Sequence, residues 1–523
     1  MEPPDPTPAD RQGSLVALDL SPDEAGAHVD APDVVAARAE RARVRRRSWQ
    51  MLAVLLLLAT TLRLPAFFVQ VFNSDETFIA TQAEVINDGG QLYRDAADRK
   101  PPLVPYLYAA VFAVTGTSAL WSVRVAAMLA VVATAMLLGA EARRRWGERA
   151  AWVAALLFVC ASVAFAPQDG QAANFEIFML PAMTAAMLLA ARGRSLGAGV
   201  AVAVATLAKQ TGAATLIPVL YLVARARGKR GVGEALAGFG LPLGLVALLL
   251  GPADVVFWVV LGNGSYFGLG SASAYVLGLF LVMTLAFLAC NLPIVWTLPR
   301  AWRDRRAQPQ TELWLWLLSA ALSVAVGFRF FGHYYLQLLP PLSLITAGAL
   351  TRRPERVARV TVACAGIIAV GFSIFGFFVR PWADNPKYEA VSQYLDIHTT
   401  EADRIFVWGH MPEIYWASER LPASGILSSG FPVGDWGGRP EGDLKSRAPT
   451  EGTYEKMLAD LRTNRPRYVL DTTGARIRGS QYAPMSDYDA LQSFVDRGYR
   501  YVRTIDGIAI YARNPMREAA RKE

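Results

Sequence analysis

The sequence predicts a polytopic α-helical membrane protein of eleven spans, followed by an external α/β domain. Three observations carry this. Of 523 residues, 53% are hydrophobic and only 18% charged, too little charge for a soluble chain of this size. Long apolar runs recur between residues 49 and 379, joined by connections that are by turns strongly basic and nearly free of Lys and Arg. After Arg380-Pro381 the chain turns polar, and no later run is long enough to cross a bilayer.

Residues 1–35, rich in Pro, Asp and Ala, lack periodicity and are expected to be disordered. With "RAERARVRRR" they form a basic tail over 1–48. The first apolar run, Trp49–Val71, continues through Leu62-Arg63-Leu64-Pro65 to Phe67-Phe68 rather than ending in small residues. A retained anchor is expected, not a cleaved signal peptide. Further runs lie near 119–141, 149–166, 175–191, 233–250, 273–298, 311–328, 333–350 and 357–379, with a close pair near 195–208 and 211–224.

The connections "EARRRWGER", "ARGRS", "RARGKRG", "RAWRDRR" and "TRRPERVAR" are basic, whereas those near 167–174, 251–272 and 328–332 are not. Basic loops face the cytoplasm, so the N terminus is cytoplasmic and the C-terminal domain external. The net charge of +8 then marks orientation, and no nucleic-acid partner is implied. Cys160, Cys290 and Cys364 all lie in apolar runs, which argues against a disulfide framework or a thiolate metal site.

The stretch 101–116, "PPLVPYLYAAVFAVTG", fits the alternation only as a helix lying along the outer interface. Residues 72–118 are then one large external loop. Within it Ser74 is a helix N-cap, with Asp75 and Glu76 in the first turn. Phe78, Ile79, Gln82, Ala83 and Ile86 follow at helical spacing, and Gly89-Gly90 stops the helix. Capping alone accounts for both acids; a carboxylate here can also act as a base towards a hydroxyl. Further along, Arg94, Arg99 and Lys100 stand on the outer side against the positive-inside trend. They call for an anionic partner, either lipid headgroups or a phosphate substrate.

With the acid pair after the first span and "LYRDAADRKPPL" before the interfacial helix, the sequence resembles the GT-C polyprenyl-phosphate-sugar glycosyltransferases. The branch is that of the protein O-mannosyltransferases and lipid A aminoarabinose transferases. "ANFEIFMLP" with Glu176, "ATLAKQTGA" with Lys209 and "GHYYLQLLPPL" with His333 extend the likeness over residues 49–379. The resemblance implies a GT-C-like catalytic domain there, which moves a sugar from a polyprenyl-phosphate donor to a hydroxyl with inversion. It places the catalytic base at Asp75, because the attacking hydroxyl must lose its proton. Glu76 either orients Asp75, binds acceptor hydroxyls or only caps. The leaving phosphate gains charge, which fixed cations stabilise. Lys100 is the first candidate, with Arg94, Arg99, Lys209, Arg329 and His333 assisting. Asp169, Glu176, Tyr93 and Tyr334 complete the expected substrate cavity.

For several of these a plainer reading stands alongside. Asp169 fits a turn, and His333 beside two tyrosines fits an interfacial anchor. Glu176 and Lys209, by contrast, are costly at membrane depth without partners. There is no HExxH motif or cysteine pair. A metal-free mechanism is expected, the alternative being a divalent ion on the Asp75–Glu76 pair. The expected partners are a polyprenyl-phosphate-linked sugar, a hydroxyl-bearing glycan, lipid or protein acceptor, and membrane lipids. The implied location is a bacterial plasma membrane. A lipid-linked-sugar flippase or secondary transporter is the competing class, but no inverted repeat is visible.

In the external domain, 380–523, "DRIFVWG", "PRYVLDTT", "YRYVRTI" and "IAIYARN" read as strands, the last two a hairpin turning at Asp506-Gly507. Helices are expected near 387–397, 452–463 and 486–497. The stretch 421–450 reads as a long surface loop, in which Trp436 and its neighbouring acids could meet a glycan.

Overall fold

The computed structural model describes residues 32–263, 273–306, 310–378, 387–435 and 447–514, together with Pro440 and Asp443. The chain divides into two compact units, Met1–Met51 and Leu52–Glu523. Helix α1 (Pro32–Leu62) begins inside the stretch expected to be disordered; the Ala, Glu and Arg residues of its opening turns are good helix formers. The rest of that stretch, and Trp436, lie outside the described residues.

In the larger unit the main helices are α2 (Ser74–Asn87), α3 (Leu103–Thr115), α4 (Leu120–Trp146), α5 (Glu148–Ala161), α6 (Phe175–Ala191), α7 (Ser195–Ala208) and α8 (Leu216–Leu250). They are followed by α9 (Ser273–Cys290), α10 (Thr311–Ala325), α11 (Leu339–Leu350) and α12 (Glu355–Phe378). Local chemistry sets several boundaries. Helix α4 ends in Arg143, Arg144 and Arg145, cations that suit the negative end of the dipole, and Gly147 turns the chain at φ +87. Helix α7 stops at Ala208; Lys209 is extended (φ −155, ψ 138), and a 3₁₀ segment, Gln210–Thr215, leads into α8. The two runs expected near 211–224 and 233–250 are joined in α8, across a kink at Gly228 (φ 59) in the basic "RARGKRG".

Four described helical segments are long and apolar enough to cross a membrane: Leu120–Trp146, Gln210–Leu250, Ser273–Cys290 and Glu355–Phe378. Leu103–Thr115, Phe175–Ala191, Ser195–Ala208, Pro252–Asn263 and Thr311–Ala325 are shorter apolar helices.

The C-terminal region holds α13 (Lys387–His398), α14 (Thr453–Asn464) and α15 (Asp489–Gly498) around a four-stranded sheet. Its strands are β1 (Ile405–Trp408), β2 (Tyr468–Asp471), β3 (Tyr499–Ile505) and β4 (Ile508–Arg513), in the order β1-β2-β4-β3. Strand β1 runs parallel to β2, β4 antiparallel to both β2 and β3, and the β3–β4 register shifts between Tyr501 and Arg503. Asp506 (φ 48) and Gly507 (φ 83) make the two-residue turn, the left-handed pair that matches strand twist. The core of this region is shared. Tyr93, Ala96 and Ala97 of the first loop are buried in one cluster with Phe431, Leu461 and Val495.

Candidate active site

Helix α2 carries the acid pair, and its cap is Asn73, with Ser74 as the first helical residue. Asn and Ser cap equally well, but Asn73 has a second task. Its Oδ1 accepts from the Asp75 N–H at 2.9 Å, while Nδ2 donates to Asp169 Oδ1 at 3.2 Å and to the Gln168 carbonyl at 3.3 Å. Adjacent residues on a helix point about 100° apart, so the two acids face different surroundings.

Glu76 is fully buried. Its Oε1 accepts from Arg124 Nε and from the Ala173 N–H, each at 2.9 Å, and its Oε2 from Arg124 Nη2 at 2.7 Å. Arg124, on α4, also donates to the carbonyls of Ala66, Val69 and Gln70. The pair ties α2 to α4 and to the segment before α6. Asp75 is half-buried, and among the described residues its carboxylate accepts no hydrogen bond. It lies within electrostatic range of Asp98 and Lys209.

Opposite stands a network of alternating charge. Lys209 pairs with Glu176, both buried, and its Nζ sits 3.8 Å from the centre of the Tyr334 ring. His333 Nδ1 is 2.8 Å from Asp169 Oδ1, and its Nε2 is 3.8 Å from Glu176 Oε1. Asp169 Oδ2 accepts from the Gly332 N–H at 3.0 Å, so this one carboxylate joins the cap of α2 to the turn before α11. Gly332 allows that approach: a Cβ there would lie 2.6 Å from Asp169 Oδ2. Lys100 Nζ lies 5.5 Å from the Phe175 ring centre, and its field reaches Glu176, Lys209 and Asp98. The structure thus brings together Asp75, Lys100, Asp169, Glu176, Lys209, His333 and Tyr334. Arg329 is buried four residues before His333, between Phe328 (φ 54) and Phe330 (φ 50). Bulky residues adopt such left-handed backbone only under constraint.

Other expected site residues are placed differently. Arg94 is exposed. Tyr93 is 1% exposed, its ring in the core shared with the C-terminal region, where an aromatic side chain buries most area. Its hydroxyl still donates to the Lys100 carbonyl at 2.9 Å. Arg99 is buried with its guanidinium 5.6 Å from the Phe431 ring centre, and its carbonyl accepts from Gln210 Nε2 at 2.5 Å and Asn263 Nδ2 at 3.3 Å.

Two residues escaped the sequence reading. Asp98 is buried within electrostatic range of Asp75, and its Oδ1 accepts from the Arg99 N–H at 2.6 Å. Burial pushes its carboxyl up, while Lys100 and Arg99 pull it back. An acid directly before two cations in "DRK" was the available signal. For Arg124 it was a charge inside the apolar "WSVRVAAML". Among the described residues, no group of three or more His, Cys, Asp or Glu is placed to hold a metal ion.

Residues 99–258 match the family model described as dolichyl-phosphate-mannose-protein mannosyltransferase. That segment contains Lys100, Asp169, Glu176 and Lys209, whereas Asp75 and His333 lie outside it. No curated protein sequence matches the chain. Among solved structures, the fold is similar to ArnT from Cupriavidus metallidurans bound to undecaprenyl phosphate. The TM-score is 0.59 at 15% identity, covering 88% of this chain and 97% of that one. ArnT from the same organism in the apo state gives a TM-score of 0.60 at 14% identity, covering 92% and 99%. In fold, and in sequence over residues 99–258, the chain resembles the GT-C superfamily of glycosyltransferases.

Proposed function

We propose that the protein is an inverting glycosyltransferase, which takes a hexose or pentose from a polyprenyl-phosphate donor and passes it to a hydroxyl on a glycan, lipid or protein. The observation that carries this reading is the division of labour in the acid pair. Glu76 is spent on Arg124, while Asp75 keeps its carboxylate available beside a cluster of cations. The binding of undecaprenyl phosphate by ArnT, which shares the fold, supports a polyprenyl phosphate as the carrier.

In this mechanism Asp75 accepts the proton of the acceptor hydroxyl as that oxygen attacks the anomeric carbon. The bond from the anomeric carbon to the phosphate oxygen breaks, and the electron pair leaves with the polyprenyl phosphate. Attack from the opposite face inverts the centre. Lys100 and Lys209 neutralise the charge growing on the phosphate, and Arg329 assists them. Asp169 orients His333, whose Nδ1 faces the carboxylate. The reaction runs on the external face of a bacterial plasma membrane, where the first loop and the C-terminal domain, 380–523, lie.

The purified protein is incubated with polyprenyl-phosphate sugars, and release of free polyprenyl phosphate is measured. Turnover by the wild type, falling roughly a hundredfold or more in Asp75→Asn while donor binding persists, supports the reading. Sugar movement across a vesicle membrane without bond cleavage overturns it in favour of transport.

A further inference from the structure

Lys100 stands at the end of a loop whose position is set by the C-terminal region. Residues 91–100 fold into a tight turn, with Leu92 and Ala96 bridged and Tyr93 at φ 75. Two of the contacts that fix this turn from outside are made by Gly425. The Ala97 N–H donates to the Gly425 carbonyl at 2.8 Å, and the turn presses on Gly425 itself. A Cβ at Gly425 would lie 2.3 Å from the Arg94 carbonyl oxygen and 3.2 Å from its carbon. Those are backbone atoms, with no rotamer to move aside.

Gly425 is itself held. Its N–H donates to Asp460 Oδ2 at 2.9 Å, as does Ser424 Oγ at 3.1 Å, while the Ile426 N–H donates to Ser424 Oγ. Asp460 belongs to α14. A continuous line of contacts therefore runs from α14 through Gly425 and Ala97 to Lys100, three residues further on. The inner end of the line is also fixed, since Tyr93 holds the Lys100 carbonyl and Gln210 the Arg99 carbonyl. Gln210 is the neighbour of Lys209, so one rigid path sets the spacing of the two lysines.

We propose that Gly425 is a positioning residue for the transfer reaction: the C-terminal region seats the loop through it and so places Lys100 against the donor phosphate. This rests on the glycosyltransferase reading for its kinetic half only. Displacing an ammonium by one or two ångströms weakens its attraction for the phosphate without touching the base. The defect then falls on donor use and leaves Asp75 and its helix in place.

Gly425→Ala is the direct variant. Asp460→Ala is its partner, because it removes the support of Ser424 and Gly425 without introducing a clash. In purified full-length protein, amide hydrogen exchange of residues 91–100 should speed up by roughly tenfold or more in Gly425→Ala, and less in Asp460→Ala. Helix α2 should keep its wild-type protection in both. With a polyprenyl-phosphate sugar, kcat/KM for the donor should fall by roughly tenfold while the acceptor KM changes little. Wild-type exchange over 91–100 in a folded Gly425→Ala protein overturns the proposal whatever the activity. Should Gly425→Ala not fold, Asp460→Ala decides alone. Faster exchange confined to 91–100 supports the proposal, and unchanged exchange, or an altered acceptor KM with donor kcat/KM intact, rejects it. A wild-type protein that cleaves no donor defeats the glycosyltransferase reading but leaves the exchange result standing.

Discussion

Two neighbouring carboxylates can have opposite uses, and the first prediction separates them by what each loses. Glu76→Gln leaves Arg124 buried with only carbonyls for company. Removing one member of a buried ion pair costs about 3–5 kcal/mol, so this variant should melt at a much lower temperature. Its turnover per folded molecule should fall far less than that of Asp75→Asn. Equal melting temperatures for Glu76→Gln and wild type would show that the Arg124 pair contributes nothing to the fold. A second residue reports on pH. Burial pushes the Glu84 carboxyl up to about 8, the Ser118 hydroxyl pulling it down and Glu419 pushing it further up. Unfolded, this group ionises near 4.5, its ordinary value. Between those two values the folded chain holds more protons, so raising the pH across that window weakens the fold; above it the effect is complete. Glu84→Gln should flatten the fall in stability between pH 5 and 8 in melts across that range, roughly the span set by the two values, and leave the protein more stable at its upper end. An unchanged slope would assign the pH dependence to other groups.

At the scale of elements, the cap of α2 is the joint between local structure and site. Asn73→Ala loses the cap, about 1 kcal/mol, and also the hydrogen bond that steadies Asp169. Turnover should fall with stability, whereas Asn73→Asp, which still caps but sets a second carboxylate against Asp169, should keep stability better than activity. Melting curves and donor turnover of the two variants test this. The element itself was legible in the sequence because α2, the strands and the Asp506–Gly507 hairpin are decided by spacing and turn chemistry within a dozen residues. The cap moved by one position because Asn73 and Ser74 are equivalent locally and differ only in what lies 96 residues on. Likewise "DE" announced a site, but only the Arg124 guanidinium, 48 positions away, decides which acid is available. Contacts of that range leave no periodic trace.

For the whole molecule, the alternation of basic connections implies that the first loop and the C-terminal region share one side of the membrane. Their common core requires the same. Cysteines placed at Thr117 and at exposed Ser493, in a chain whose three native cysteines are replaced, should react with an impermeant thiol reagent added outside intact cells. Reaction of either only after the membrane is opened would reverse the orientation. The strands and helices of the C-terminal region are locally complete, so the sequence reads as a separate α/β domain over 380–523. The burial of Tyr93 with Phe431 and Leu461 lay beyond any local pattern.

That shared core has a consequence for the order of events during synthesis. Tyr93 emerges long before its partners Leu461 and Val495. At roughly 5–20 residues per second, the loop waits on the order of tens of seconds for the surface it must pack against. If Gly425 seats the loop as proposed, Lys100 gains its fixed place only then, and the proposed transfer waits for it. On the proposed reading, a chain that stops before α15 carries its apolar helices but does not consume lipid-linked sugar. Folding of the C-terminal region is thus itself the switch on which the proposed activity waits.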